Sequence, residues 1–301
     1  MTVSLSISCN PLINRITDPA ELVQVCAEDI GVRRIQLTNE FINPVWPAET
    51  QARLARQFAA AASRHGLRAT SLMTGAQARL AAMGHSDEGV RAWTEDWFIK
   101  FGRIAADLGA ASIGSQFAIL SWSDWDDQAR REDRITRVLD GWCRIWEAVE
   151  RFGLKEMFWE QMSIGREFGH TIAATADLVG RIERRGIPLR ILLDVDHGDI
   201  TSADANDTDP YAWIRAFGRD CPIIHVKQSS ANKGGHWPFV EPYNSTGRIR
   251  PSEIVAAMTD FGPADSEVCL ELSFREREPA DRSVVQVMRD SVDHWRPHLE
   301  V

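Results

Sequence analysis

Short runs of apolar residues recur along the chain, and each is followed by a longer stretch in which apolar positions return with a helical period. The runs fall at residues 5–9, 34–37, 67–73, 112–117, 156–160, 189–194, 223–226 and 268–272. In the sixth run, Ile191-Leu192-Leu193 has no polar interruption, which marks a strand buried on both faces. Strands that alternate with helices imply parallel strand–helix–strand units. Eight such units in 301 residues predict an α/β fold: a single (β/α)8 TIM barrel spanning residues 1–301.

The punctuation agrees with this count. Gly31, Gly66, Gly109, Gly153, Gly186, Gly218 and Gly262 each stand where a helical stretch should stop, and glycine there can take the left-handed turn that closes a helix. Asp18-Pro19 and Asp209-Pro210 each set a capping carboxylate ahead of a proline suited to a first helical turn. Glu21, three residues past Asp18, fits a capping box. An extended loop is predicted over residues 228–250 after the seventh strand, and a shorter one over 121–128 after the fourth. In a barrel both lie on the face where active sites are built.

The last three apolar strands, and the fifth, end in metal-ligand chemistry. Glu160 closes the fifth run and Asp194 the sixth. His225 lies in the seventh and Glu271 in the eighth. A buried strand that ends in charge needs something to neutralise it. Four successive strands of a barrel can converge at one mouth. Three carboxylates and an imidazole suit Mn²⁺, Mg²⁺, Co²⁺ or Zn²⁺, and the lack of thiolates argues against a closed structural zinc site.

Composition narrows the class. No window holds the ~20 uninterrupted apolar residues of a membrane helix, and the N-terminus lacks a basic segment followed by an apolar one. The five cysteines are far apart, odd in number and form no Cys-x-x-Cys pair, as expected of reduced thiols in a cytoplasmic protein. A net charge of -9 without a basic stripe argues against nucleic acid as a partner. A small anionic substrate would need a local basic pocket.

Several stretches resemble the sugar isomerase/epimerase family with the xylose-isomerase-like barrel. They are Phe41-Ile42-Asn43-Pro44, Phe158-Trp159-Glu160, Ser163-Ile164-Gly165-Arg166-Glu167-Phe168-Gly169, Asp194-Val195-Asp196-His197-Gly198-Asp199, Lys233-Gly234-Gly235-His236 and Cys269-Leu270-Glu271-Leu272-Ser273-Phe274. The resemblance covers essentially the whole chain. It implies that Glu160 and Glu271 are ligands that double as acid/base groups, that Asp194 and His225 are ligands only, and that His197 contacts sugar oxygens near the carbonyl. It also implies an isomerase of carbohydrate metabolism that inverts C3 of a short ketose phosphate through an enediolate, with one base on each face of the carbon. Homo-oligomers, dimers or tetramers, are common in the family.

Two departures point to the phosphate. Family epimerases of unphosphorylated ketoses carry an arginine six residues after the metal histidine, where this chain has Ala231. They carry a glutamate six residues after the first metal glutamate, where this chain has Arg166. An acid exchanged for a base fits a phosphorylated substrate. The chain has four lysines, and two of them, Lys227 and Lys233, fall at or just beyond strand seven beside Gly234-Gly235. Charged donors with exposed amides bind phosphate well. Lys227, Lys233 and Arg166 are therefore the expected phosphate ligands, with Arg248 either a further one or a solvated surface cation. Asn10, Gln36, Gln116 and Gln228 stand near strand ends either as hydroxyl ligands or as groups that satisfy loop backbone, and Trp122, Trp125 and Trp237 as covers of the site, packing groups or oligomer contacts. Three other readings stay open: an aldose–ketose isomerase of a small sugar or hydroxy-acid, a DNA-repair nuclease, and a non-catalytic ligand-binding barrel. The charge and the scarcity of histidines near strand ends count against the nuclease. The pair of glutamates counts against simple binding.

Overall fold

The computed structural model describes residues 2–75, 83–230, 233–274 and 279–299, with backbone only at 233–234 and 279–280. Eight parallel strands close into a barrel: β1 (Thr2–Ser8), β2 (Arg34–Thr38), β3 (Arg68–Met73), β4 (Ser112–Gln116), β5 (Glu156–Glu160), β6 (Leu189–Asp194), β7 (Ile223–Val226) and β8 (Asp265–Leu270). Each pairs with its sequence neighbours, and β8 closes the circle on β1 from Thr2↔Asp265 to Ile7↔Leu270. The expected barrel is present.

The largest boundary shifts are at the first and last strands. The first and last strands start earlier than their apolar runs, at Thr2 and Asp265, because they pair with each other along their polar beginnings. Glu271 therefore lies just past the end of β8, although its N–H still continues the ladder to the Val226 carbonyl at 2.9 Å.

Helices cover the outside, and the main core lies between them and the barrel wall. Ala48–His65 shows why they form: its apolar positions Ala55, Phe58, Ala61 and Ala62 recur at helical spacing and are buried, while Arg53, Arg56 and Gln57 stay on the other side. Asp18 and Asp209 cap their helices as expected, accepting from Ala20 and Glu21 at 2.9 Å and from Tyr211 at 3.0 Å. Five of the seven expected glycine stops are left-handed, but Gly218 and Gly262 are not. Glycine serves close approach there. A Cβ on Gly262 would stand 2.5 Å from the Met258 carbonyl, and one on Gly218 3.1 Å from that of Phe261.

The barrel lumen is layered. A thin apolar plug of Met73, Phe158, Leu192, Ile223 and Cys269 fills its middle. Side chains two residues along a strand share a face. Glu156, Phe158 and Glu160 of β5 thus follow one another up the lumen, as do Arg190, Leu192 and Asp194 of β6. The plug separates a polar lower mouth from an ionic upper one.

The stretch over 228–250, expected to be irregular, contains structure. Gln228–Ser230 pairs antiparallel with Lys233–Trp237, and a single helical turn follows at Tyr243–Thr246. This hairpin rises from the end of β7 over the upper mouth. Its strands are too short and polar to stand out as an alternating pattern.

Candidate active site

Glu160, Asp194, His225 and Glu271 meet at the upper mouth, each offering one ligand atom within 4.8 Å of the others. Asp194 and His225 are essentially buried, and the two glutamates are slightly open. The register explains the convergence: Asp194 pairs with His225 across β6 and β7, and Glu160 stands one strand further round.

The His225 tautomer follows from its neighbours. Gln36 donates its amide N–H to Ser71 Oγ at 3.1 Å, so its carbonyl oxygen faces His225 Nε2 at 2.8 Å and accepts from it. Nδ1 then turns to the carboxylates, 2.9 Å from Glu160 Oε1 and 3.7 Å from Glu271 Oε2. A bare nitrogen cannot sit that close to a carboxylate oxygen without a proton or a cation between them. Burial pushes the imidazole toward neutrality, but Glu271 and Glu160 outweigh it and raise its pKa well above the usual value. Metal-bound histidines characteristically donate their other ring N–H in this way.

Lys227 places a fixed positive charge in the same cluster. Its buried ammonium bonds Asp194 Oδ2 and approaches Glu271 Oε2 at 3.2 Å, His197 Nε2 at 2.9 Å and His236 Nε2 at 3.3 Å. Burial disfavours that charge, yet Asp194, Glu271 and Glu160 raise the lysine pKa above its ordinary value. Glu271 responds in the opposite sense. Burial pushes its carboxyl up, but Lys227, His225 and His236 hold it well below the usual range.

Three carboxylates carry -3 and Lys227 returns +1, which leaves -2 when His225 is neutral. A divalent cation balances that charge, and the hard and borderline donors suit it. The residues fit a metal on charge, donor type and spacing. A second group, His197, His236 and Glu271, has similar spacing. It surrounds the Lys227 ammonium, so the chain supplies its own cation there.

The remaining expected residues divide. His197 joins the cluster, with Nδ1 against the Gln161 carbonyl at 3.1 Å and Nε2 3.3 Å from Asp194 Oδ2. Gln116 lies level with Glu160 in the β4–β5 register and accepts from Ser115 Oγ at 3.3 Å. Arg166 is partly exposed beside Glu167 at 3.4 Å and the Leu120 carbonyl. Lys227 differs from its expected place: its charge is paired with carboxylates at the cluster and is not turned to solvent for a phosphate. Gln228 differs too. Its amide nitrogen donates to Ile249 O and Asn244 Oδ1, and its oxygen accepts from Ser229 and Ile249, so it holds the loop and has no group free for a hydroxyl. Arg248 turns inward onto Asp196. The Lys233 side chain and Ala231 lie outside the described residues.

The tryptophans are spread out. Trp122 is 77% exposed, Trp125 packs on Phe168 and His170, and Trp237 stacks on Tyr243.

Sequence reasoning missed two residues of the cluster. Gln161 is fully buried and clasps the Asp194 backbone, accepting its N–H at 2.9 Å and donating to its carbonyl. Its signal was its place, one residue past Glu160. His236 is carried in by the hairpin, with Nδ1 3.3 Å from Glu271 Oε2. The Lys-Gly-Gly-His stretch held it without revealing a role.

A closed parallel barrel with a carboxylate–imidazole cluster at its C-terminal mouth defines a class, and the chain belongs to it: residues 26–297 match the xylose isomerase-like TIM barrel family. Among individual proteins, the chain is similar to D-erythrulose 1-phosphate 3-epimerase of Brucella abortus (strain 2308). The two are 47% identical over 302 residues, covering 100% of this chain and 97% of that protein. In fold it is similar to a proposed xylose isomerase from Rhodospirillum rubrum (TM-score 0.89, 21% identity, 99% of this chain and 100% of that one). It is also similar to D-psicose 3-epimerase from Clostridium cellulolyticum H10 (TM-score 0.73, 15% identity, 100% of both chains). No helix among the described residues is long and apolar enough to cross a membrane.

Proposed function

We propose that this chain is a divalent-metal-dependent isomerase that inverts C3 of a short ketose phosphate, interconverting D- and L-erythrulose 1-phosphate in tetritol catabolism. The observation that carries this is the pair of carboxylates, Glu160 at the end of β5 and Glu271 just past β8, that converge on one imidazole, 2.9 and 3.7 Å from His225 Nδ1. Similarity to the Brucella 3-epimerase supplies the substrate.

The C3 proton is acidic because it neighbours a carbonyl. One glutamate removes it and the other returns a proton to the opposite face, which inverts the centre. A divalent ion held by Glu160, Asp194, His225 and Glu271 would supply Lewis-acid stabilisation of the enediolate charge. Lys227 adds a preorganised cation whose desolvation the fold has already met. His197 and His236, with Nε2 aimed at that ammonium, border the space where substrate oxygens arrive.

The phosphate is assigned to the rim above this cluster, where the second strand of the hairpin begins at Lys233 and Gly234-Gly235 and Arg166 stands half-open on the loop after β5. Assembly into homo-oligomers is part of the same proposal, with Trp93 and Trp122 open at the surface.

Deuterium wash-in from heavy water tests the reaction. Label should enter C3 of erythrulose 1-phosphate in both epimers. Label at C1 of free erythrulose, whose C1 hydroxyl carries no phosphate, with none at C3, would make the enzyme an aldose–ketose isomerase. For the phosphate, Lys233→Ala and Arg166→Ala should each lower the preference for erythrulose 1-phosphate over free erythrulose by roughly ten- to a hundredfold, as losing one charge-assisted contact does. An unchanged ratio in both variants would remove the phosphate from this rim.

A further inference from the structure

Arg248 sits near the far end of the long β7 loop, yet its side chain is mostly buried. Its guanidinium grips three partners: Asp196 Oδ1, Ser229 Oγ at 3.1 Å and the Thr208 carbonyl at 2.6 Å. Its own N–H bonds the Ser229 carbonyl at 2.9 Å. Ser229 Oγ in turn donates to Asp196 Oδ1 at 2.6 Å. Asp196 and Thr208 belong to the loop after β6, and Ser229 belongs to the hairpin. One side chain thus ties the two loops that flank the cluster.

The tie reaches a candidate ligand. Asp196 donates its backbone N–H to Asp194 Oδ1 at 2.9 Å, so the position of Asp196 fixes the carboxylate of Asp194. The other Asp194 oxygen faces Lys227 and His197. The His197 N–H returns to the Asp194 carbonyl at 3.3 Å and closes the turn. Moving Asp196 would turn Asp194 and shift His197 together.

We infer that Arg248 and Asp196 form a clamp that positions Asp194 for metal binding and registers the β7 hairpin over the site. Arg248 is a positioning residue: each of its three guanidinium nitrogens donates to the protein, and its charge is paired with Asp196. A planar fork meeting a carboxylate, a hydroxyl and a carbonyl at once is geometry that a lysine cannot reproduce. The inference rests on the reading of Glu160, Asp194, His225 and Glu271 as metal ligands.

Calorimetric titration with Mn²⁺ tests it, with metal-free thermal unfolding alongside. Asp196→Asn and Arg248→Met should each weaken Mn²⁺ binding by about tenfold to a hundredfold, the size typical of outer-shell partners. The double variant should be no worse than the weaker single, because both changes break one unit. Arg248→Lys should recover only part of the loss. Should Arg248→Met fail to fold, Ser229→Ala carries the test, with a loss of several fold expected. Wild-type Mn²⁺ affinity in the single variants, or losses that add, would overturn the clamp while leaving the metal reading intact. Wild-type protein that binds no Mn²⁺ would overturn the metal reading, and the clamp with it.

Discussion

The two mouths of the barrel are built from the same strands and the same residue types, but they hold charge differently. At the lower mouth Glu156 meets Arg190 at 2.9 Å, and Glu267 meets Thr70 Oγ1 at 2.9 Å and Arg34 at 3.8 Å. Burial dominates there and raises both carboxyls above the usual range. At the upper mouth three carboxylates face one lysine, and Glu271 is held well below the usual range in spite of its burial. Glu267 and Glu271 sit four residues apart on the same strand line with opposite shifts. A polar mouth that balances its own charge stabilises the barrel. One that carries an excess of two negative charges once His225 gives up its proton has room for a divalent cation, which sets the two ends apart.

The same substitution at both ends breaks the comparison most sharply. Glu271→Gln should reduce kcat by about 10²- to 10⁴-fold, the usual contribution of a positioned proton carrier, while Glu267→Gln leaves kcat near wild type. Steady-state kinetics on erythrulose 1-phosphate decides it, and equal effects from both variants would erase the distinction between the mouths.

Ligand linkage is the next test. A divalent cation at a hundred times its dissociation constant should stabilise the fold by about 2.7 kcal/mol, and chelation should remove that gain. Chemical denaturation with and without Mn²⁺ should show this gain in wild type and Glu267→Gln but lose it in Asp194→Asn. A gain that survives in Asp194→Asn would locate the cation elsewhere.

The smallest expected effect concerns pH. Glu267 has a raised folded pKa, so the folded state holds its proton more tightly than the unfolded state does. Stability is therefore lost as pH rises from the ordinary carboxylate range through the raised value. Glu267→Gln should stabilise the protein by about 1 kcal/mol near neutral pH, since it replaces a buried charge with a neutral acceptor that Thr70 can still reach. The difference should vanish below about pH 4, where Glu is protonated in both states. Glu271 runs the other way: its stabilising ionisation is present above the ordinary range and is lost as pH falls through its depressed value. A Glu267→Gln variant less stable at neutral pH would show that the Arg34 contact outweighs burial.

Much of the barrel could be read from the chain, because strand burial and helix amphipathicity leave periodic marks in sequence. Interior strands must be apolar wherever they face the core, so 156–160, 189–194 and 223–226 announced themselves to the residue. The four strand-end candidates for metal binding were legible for a related reason. Charge at the end of a buried strand is costly unless it is neutralised, so its presence at consecutive ends of β5 to β8 is informative by itself. What the sequence could not assign was where long side chains and long loops go. Lys227 and Arg248 have flexible stems that reach in several directions, and the partners that captured them, Asp194 and Asp196, are 33 and 52 residues away. His236 arrives on a hairpin whose short polar strands leave no alternation to detect. Gln161 and Gln36 carry neutral amides, which suit a loop, a hydroxyl or an imidazole equally, and only the fold placed them beside Asp194 and His225. Periodicity and charge cost are local properties of the chain and determined the barrel and its candidate ligands. The balance of charge among those ligands depends on distances between strands, and only the tertiary structure decided it.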